Sequence, residues 1–308
     1  MPLPNFFIVG APKSGTTALH RGLRAHPEIH LPERKDVPAP YFGTDLALRR
    51  WQLSEDEYQR ALAPRNGERV IGETCVWYLY SRRAAAEIAA LAPQAHIFMM
   101  LRNPIEMIPA QHEQFLYNGN ETVRDLREAL AAEPARARGE RVPGSAHFPE
   151  GLLYIQTGRY ANQVRRYLEH FPDDQVSIYL YEDLLTNAER ILSQIHERIG
   201  VTPRSGRLPT VNEAKRVRSG VLQRLLMAPP KPLENAYHFV VPDRFHGRLA
   251  AWGVRRNVVT RPRPSLDPAV RRELVAALTD DVLELQQILG RDLSGWLVER
   301  SGLVVETR

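Results

Sequence analysis

The chain has 308 residues, a 43% hydrophobic and 25% charged composition and a formal net charge of +5, which is ordinary for a folded protein and excludes a disordered or collagen-like polymer. No stretch approaches the roughly 18 consecutive apolar residues of a membrane span, and the single cysteine, Cys75, excludes an internal disulfide framework and fits a reducing, cytoplasmic compartment. The basic balance suits an anionic ligand, but it is spread along the chain without an aromatic-interleaved basic tract or a helix-turn-helix signature, so nucleic acid is not an expected partner.

In chain order, Phe6–Val9 is a short apolar run that reads as a buried strand and not as a leader segment. The runs Arg69–Gly72, His96–Leu101 and Val176–Tyr181 read the same way, with helical patterns between them. Ser81 is placed to cap a helix through Leu91 that Pro93 ends. Tyr160, Val164, Leu168 and Phe171 mark one helix face, and Thr186 with Glu189 has capping-box spacing for a helix ending at Gly200. Residues 203–266 are rich in Pro, Gly and Arg and read as long loops with short helices, covering the acceptor or cofactor. Asp267 and Pro268 then open a helix that Gly290 closes. Alternating strands and helices predict an α/β fold, with a P-loop-NTPase-like parallel sheet flanked by helices on both faces, in a single domain over 1–308.

The segment Gly10–Thr17 carries the chemistry. It leads from the first strand through a glycine-rich turn into a helix start, where unpaired amides and the helix dipole attract phosphate-like anions. Gly10 and Gly15 let the backbone curl around such an anion. The spacing differs from the ATP-binding loop Gly-x-x-x-x-Gly-Lys-Ser/Thr. Thr16 follows the second glycine, and the lysine has moved back to Lys13. Only four of the 41 Lys and Arg residues are lysine, so a lysine here points to a need for a compact ammonium. Arg102 follows the His96–Leu101 strand, at the strand end where open α/β sheets bind ligands.

Pro12-Lys13-Ser14-Gly15-Thr16-Thr17 resembles the 5′-phosphosulfate loop of sulfotransferases that use 3′-phosphoadenosine 5′-phosphosulfate (PAPS), and Leu101-Arg102-Asn103-Pro104 is similar to their 3′-phosphate turn. His26–His30, Lys35-Asp36 leading to Tyr41-Phe42, Gly72-Glu73, Gly158–Tyr160, Tyr181–Leu184 and Leu289–Trp296 are similar to later landmarks of bacterial and heparan-sulfate-type members. The resemblance implies PAPS as co-substrate, without a metal, and a small-molecule or glycan acceptor. It implies that Lys13 meets the oxygen bridging phosphate and sulfate. Ser14, Gly15, Thr16 and Thr17 would hold the 5′-phosphate, and Arg102 the 3′-phosphate. Asp36 is the first choice for the general base, with Glu73 and His112 as alternatives.

Three departures stand out. Ala110 replaces a serine that the family places near the 3′-phosphate, leaving Arg216 and Arg218 as candidate substitutes. Asp36 is shorter than the glutamate of the relatives and lies further from Tyr41-Phe42. Thr74 stands where heparan-type members often carry a lysine. Trp77, Tyr78 and Tyr80 could line an acceptor cleft or belong to the core. The rival functions are an ATP-dependent small-molecule kinase and a nucleotide-binding module without catalysis.

Overall fold

The computed structural model describes residues 3–33, 41–47, 53–64, 66–204, 215–217, 258–260 and 265–298. The chain opens with β1 (Phe6–Gly10), α1 (Thr16–Arg24), the two-residue strand β2 (Ile29–His30), α2 (Glu55–Leu62) and β3 (Val70–Thr74). It continues with α3 (Ala84–Leu91), β4 (His96–Leu101), α4 (Pro104–Asn118), α5 (Leu126–Ala131), α6 (Glu133–Ala137), α7 (Tyr154–Gly158) and α8 (Ala161–Leu168). The remainder is β5 (Val176–Leu180), α9 (Tyr181–Thr186), α10 (Ala188–Arg198), β6 (Lys215–Val217), β7 (Val258–Thr260) and α11 (Pro268–Leu289). Among the described residues no helix is long and apolar enough to cross a membrane.

Five strands form one parallel sheet in the order β2-β3-β1-β4-β5, and β6 pairs antiparallel with β7. Successive side chains of a strand point to opposite faces, and here both faces are covered. Phe7 and Val9 of β1, with Ile97, Met99 and Leu101 of β4, join the larger apolar cluster, which also takes in Val270, Leu274, Leu278, Val282 and Leu285 of α11. Phe6, Ile8, Phe98 and Met100 point the other way, against Leu19 and Leu23 of α1 and Leu192 and Ile195 of α10. Every residue of β1 is buried, which accounts for the unbroken apolar run in the sequence. Gly72 pairs with Phe6 in register, and a Cβ there would stand 2.1 Å from Phe6 Cζ, so the aromatic ring takes the space a side chain would fill.

The expected parallel α/β sheet is the one observed, with β4 at the predicted bounds. The second expected strand lies slightly later, at Val70–Thr74. Asp267 caps α11 by accepting from the amides of Ala269 (2.7 Å) and Val270 (3.3 Å), and Gly290 ends it in the left-handed region at φ 58°. Ser81 Oγ accepts from the amides of Arg83 (3.1 Å) and Ala84 (3.0 Å) and so holds the turn that starts α3. The capping box at Thr186 is not formed. Thr186 closes α9, its hydroxyl bonds back to the Glu182 carbonyl (3.2 Å), and α10 begins after Asn187 without a side-chain cap.

Candidate active site

In the strand order, the chain runs from β1 to β3 and β2 on one side and to β4 and β5 on the other. The carboxyl ends of β1 and β4 therefore diverge at a topological switch point, where open α/β sheets leave a crevice for ligands. Gly10–Gly15 leaves β1 at this point, and Arg102 leaves β4 beside it. The Ala11 amide donates to the Met100 carbonyl (2.6 Å), which ties the start of the loop to the neighbouring strand.

Gly15 is the N-cap of α1, at φ 82° in the left-handed region that glycine enters without a steric penalty. A Cβ on it would lie 2.6 Å from Leu184 Cδ2 and 3.1 Å from Tyr181 Cδ2, so α9 presses on the turn and fixes its depth. No side chain caps α1, and a helix start of that kind offers its first-turn amides to anion oxygens. Ser14 is fully buried and its hydroxyl donates to the Pro12 carbonyl (3.2 Å), so its side chain shapes the loop from inside. Lys13 sits at φ 57°, an unusual conformation for a residue with a Cβ that is held by the closed turn around it.

Lys13 Nζ donates to Gln114 Oε1 of α4 (3.0 Å), and Gln114 Nε2 donates to Asn118 Oδ1 (2.9 Å). With Gln111, these residues fall at i, i+3 and i+7 on one face of α4. That face and the loop bound a cleft of about 400 Å³ that Val76, Trp77, Phe115, Asn120 and Phe148 also line.

Arg102 is nearly buried, its side chain 12% exposed. Its guanidinium donates to the Lys13 carbonyl (3.2 Å) and to Glu106 Oε2 (3.2 Å), and lies over the Tyr181 ring at 4.7 Å. Its Nε is buried with no hydrogen-bond partner. Asn103 accepts from the Ile105 amide (2.9 Å) to cap α4 and donates to the Trp296 carbonyl (3.2 Å), so the Leu289–Trp296 landmark closes onto the turn after β4.

The sequence candidates separate clearly. Lys13, Gly15, Thr16 and Thr17 line the cleft, with Ser14 beneath it and Arg102 beside it. Asp36 lies outside the described residues, as does Arg218. Arg216 is on β6, which runs along α4, the helix that carries the buried Ala110. His112 does not line the cleft. One residue beyond Gln111, it is rotated by about 100° around the helix, and its Nε2 pairs with the Val123 carbonyl (2.8 Å) beside Tyr154. Burial pushes its imidazole below the ordinary value, as expected for a packed neutral histidine.

Glu73 also lies outside the cleft lining. It is fully buried and accepts from the hydroxyls of Tyr58 (2.5 Å) and Tyr78. Tyr78 in turn accepts from the amides of Tyr41 (3.0 Å) and Phe42 (3.3 Å), so the carboxyl anchors the chain just after residue 40. Burial raises its pKa to about 7 against the lowering effect of both tyrosines. A carboxyl with a raised folded pKa favours the folded state when protonated, so its contribution is lost as pH rises from about 4.5 to about 7. Glu73→Gln is therefore expected to flatten that slope. In urea titrations at pH 5 and pH 8, the variant should gain relative to the parent at pH 8 by up to roughly 3 kcal/mol.

Trp77 lines the cleft, its ring 4.2 Å from that of Phe148. Tyr78 is core, and the Tyr80 hydroxyl reaches Gln156 (3.4 Å). Gln111, Gln114, Asn118 and Phe148 were not singled out by sequence. The signal available was the helical spacing of the three amides downstream of Arg102.

The profile described as "Sulfotransferase family" matches residues 4–204. The chain is 25% identical over 196 residues to bifunctional heparan sulfate N-deacetylase/N-sulfotransferase 1 of Caenorhabditis briggsae, covering 63% of this chain and 22% of that protein. It is 26% identical over 208 residues to human heparan sulfate glucosamine 3-O-sulfotransferase 3B1, covering 65% of this chain and 46% of the relative. The chain thus spans less than half the length of these curated relatives. A crystal structure of a sulfotransferase from Alicyclobacillus acidocaldarius superimposes with a TM-score of 0.69 at 27% identity, over 96% of this chain and 99% of that one.

Proposed function

The chain belongs to the sulfotransferase family, and we propose that it moves a sulfuryl group from PAPS to a hydroxyl, or less readily an amine, of a small molecule or glycan. The observation that carries this reading is the meeting of Lys13, the uncapped start of α1 and Arg102 at one switch point. The residues fit the donor. The buried Arg102 Nε lacks a partner, as an arginine awaiting a phosphate oxygen would, and Gly15, with no room for a Cβ beside Leu184, lets α9 hold the turn in place.

In this reading the donor supplies a sulfuryl group on a good leaving phosphate, and the protein supplies positioning and charge. The amides of residues 14–17 and the Thr16 and Thr17 hydroxyls hold the 5′-phosphate. Lys13 neutralises the charge that grows on the bridging oxygen as the sulfur–oxygen bond breaks. The acceptor oxygen attacks sulfur from the cleft side, and Asp36 takes its proton. Arg102 grips the 3′-phosphate, and β6 brings Arg216 alongside the helix where Ala110 leaves a hydroxyl missing. We assign the chemistry to the cytoplasm.

Arg102→Met is expected to weaken 3′-phosphoadenosine 5′-phosphate roughly ten- to a hundredfold while leaving adenosine 5′-phosphosulfate little changed. Calorimetric titration of both nucleotides checks this. For the function itself, ³⁵S-labelled PAPS incubated with a glycan, lipid and phenol panel in chelator should give labelled product. Phosphorylation from Mg²⁺-ATP in its place would make the enzyme a kinase, and nucleotide binding without any transfer would make it a binding module.

A further inference from the structure

The cleft beside Lys13 has a composition that selects its occupant. We propose that the acceptor is an uncharged, ring-bearing polyol, a neutral sugar or glycoside, and not a polyanionic chain. This rests on the sulfuryl-transfer reading of the same site.

The chain carries 41 Lys and Arg residues, yet among the described residues that line the cleft Lys13 is the only charged one. In the transfer reading Lys13 is committed to the leaving oxygen. A carboxylate or sulfate entering the cleft would lose hydration without gaining a further cation from these residues, which is costly in a half-enclosed site. Hydroxyl groups face no such loss. They exchange water for the side-chain amides of Gln111, Gln114, Asn118 and Asn120, a group type that carries both donors and acceptors.

Two further features fit a sugar ring. Trp77, tilted 42° to Phe148, adds aromatic surface to the same lining as the amides, so that a bound ring can meet π-surface while its hydroxyls meet hydrogen-bonding groups. Gln111 Nε2 is satisfied by the Gly151 carbonyl (2.6 Å) and Thr157 Oγ1 (3.4 Å), but its Oε1 is buried without a partner. A hydroxyl proton supplied from the cleft is the complement it lacks. The volume of about 400 Å³ is in the small-ligand range.

The test uses matched acceptors. Initial rates with labelled PAPS are measured on 4-nitrophenyl β-D-glucoside, 4-nitrophenyl β-D-xyloside and cellotriose. The charged counterparts are 4-nitrophenyl β-D-glucuronide and a heparan-derived trisaccharide. The neutral members should show kcat/KM roughly tenfold or more above the charged ones, the worth of one uncompensated charge. Asn118→Arg, at the half-exposed end of α4, should narrow that ratio roughly tenfold by supplying the missing cation. Equal or better turnover of the charged members overturns the proposal, as does an unchanged ratio in Asn118→Arg, or no neutral turnover while 3′-phosphoadenosine 5′-phosphate binds. Failure of that nucleotide to bind has a different signature, since it removes the donor reading and the acceptor assignment with it.

Discussion

Lys13→Ala is expected to lower sulfuryl-transfer turnover by about two to three orders of magnitude, the usual loss when one preorganised charge-stabilising donor is removed. Binding of 3′-phosphoadenosine 5′-phosphate should change far less. The charge Lys13 meets develops only as the sulfur–oxygen bond breaks, so its interaction belongs to the transition state more than to the bound nucleotide. The lysine is half-exposed and held by Gln114 Oε1 at 3.0 Å, so its truncation leaves the core intact and the unfolding midpoint close to that of the parent. Lys13→Arg should not restore the rate. A planar fork cannot place its charge where a compact ammonium sits on a turn with φ 57°. Single-turnover rates and calorimetric titration of the three proteins separate the two quantities. Undiminished turnover in Lys13→Ala would remove the lysine from the reaction.

How the site is encoded explains which of its parts could be read in advance. Buried parallel strands need apolar residues on both faces, so β1 and β4 stand out as unbroken runs. The loop after β1 must turn without Cβ atoms, so its glycines mark it. These constraints are local, and sequence shows them. The α4 face is different. Gln111, Gln114 and Asn118 look like an ordinary polar helix surface until Trp77 and Phe148, distant in sequence, join them in lining one cleft. His112 attracted attention for its chemistry, but helical geometry turns it to Val123 and Tyr154. Glu73 misled in the same way, since its tyrosine partners come from α2 and from the turn after β3. β2 is too short, at two residues, to leave a periodic trace.

Arg136→Met is expected to destabilise the protein by roughly 3–5 kcal/mol, the cost of stranding a buried charge. Arg136 makes a two-pronged pair with Glu121 at 2.7 and 2.9 Å, and the two side chains are 1% and 0% exposed. Glu121 also accepts from the amides of Thr122 (2.7 Å) and Val123 (2.8 Å) and from the Tyr154 hydroxyl (3.0 Å). Burial alone would push its carboxyl up, but the Arg136 hydrogen bonds, the Val123 amide and the arginine's charge outweigh this, and the net direction is down. A carboxyl with a depressed folded pKa contributes stability that is present above its unfolded value and lost as pH falls through the folded one. The gap between parent and Arg136→Met in urea titrations should therefore be widest near neutrality and shrink as pH falls towards and below about 4.5, as the stranded carboxyl takes up a proton. A gap that stays constant down to pH 3 would mean that the arginine acts through packing alone. The consequence reaches the cleft. Asn120 lines it one residue before Glu121, Val123 holds His112 of α4, and Tyr154 packs against Phe115. Loosening the pair should therefore raise the acceptor KM at temperatures where the variant is still folded, while nucleotide affinity, set by Arg102 and the amides of the loop after β1, stays near that of the parent.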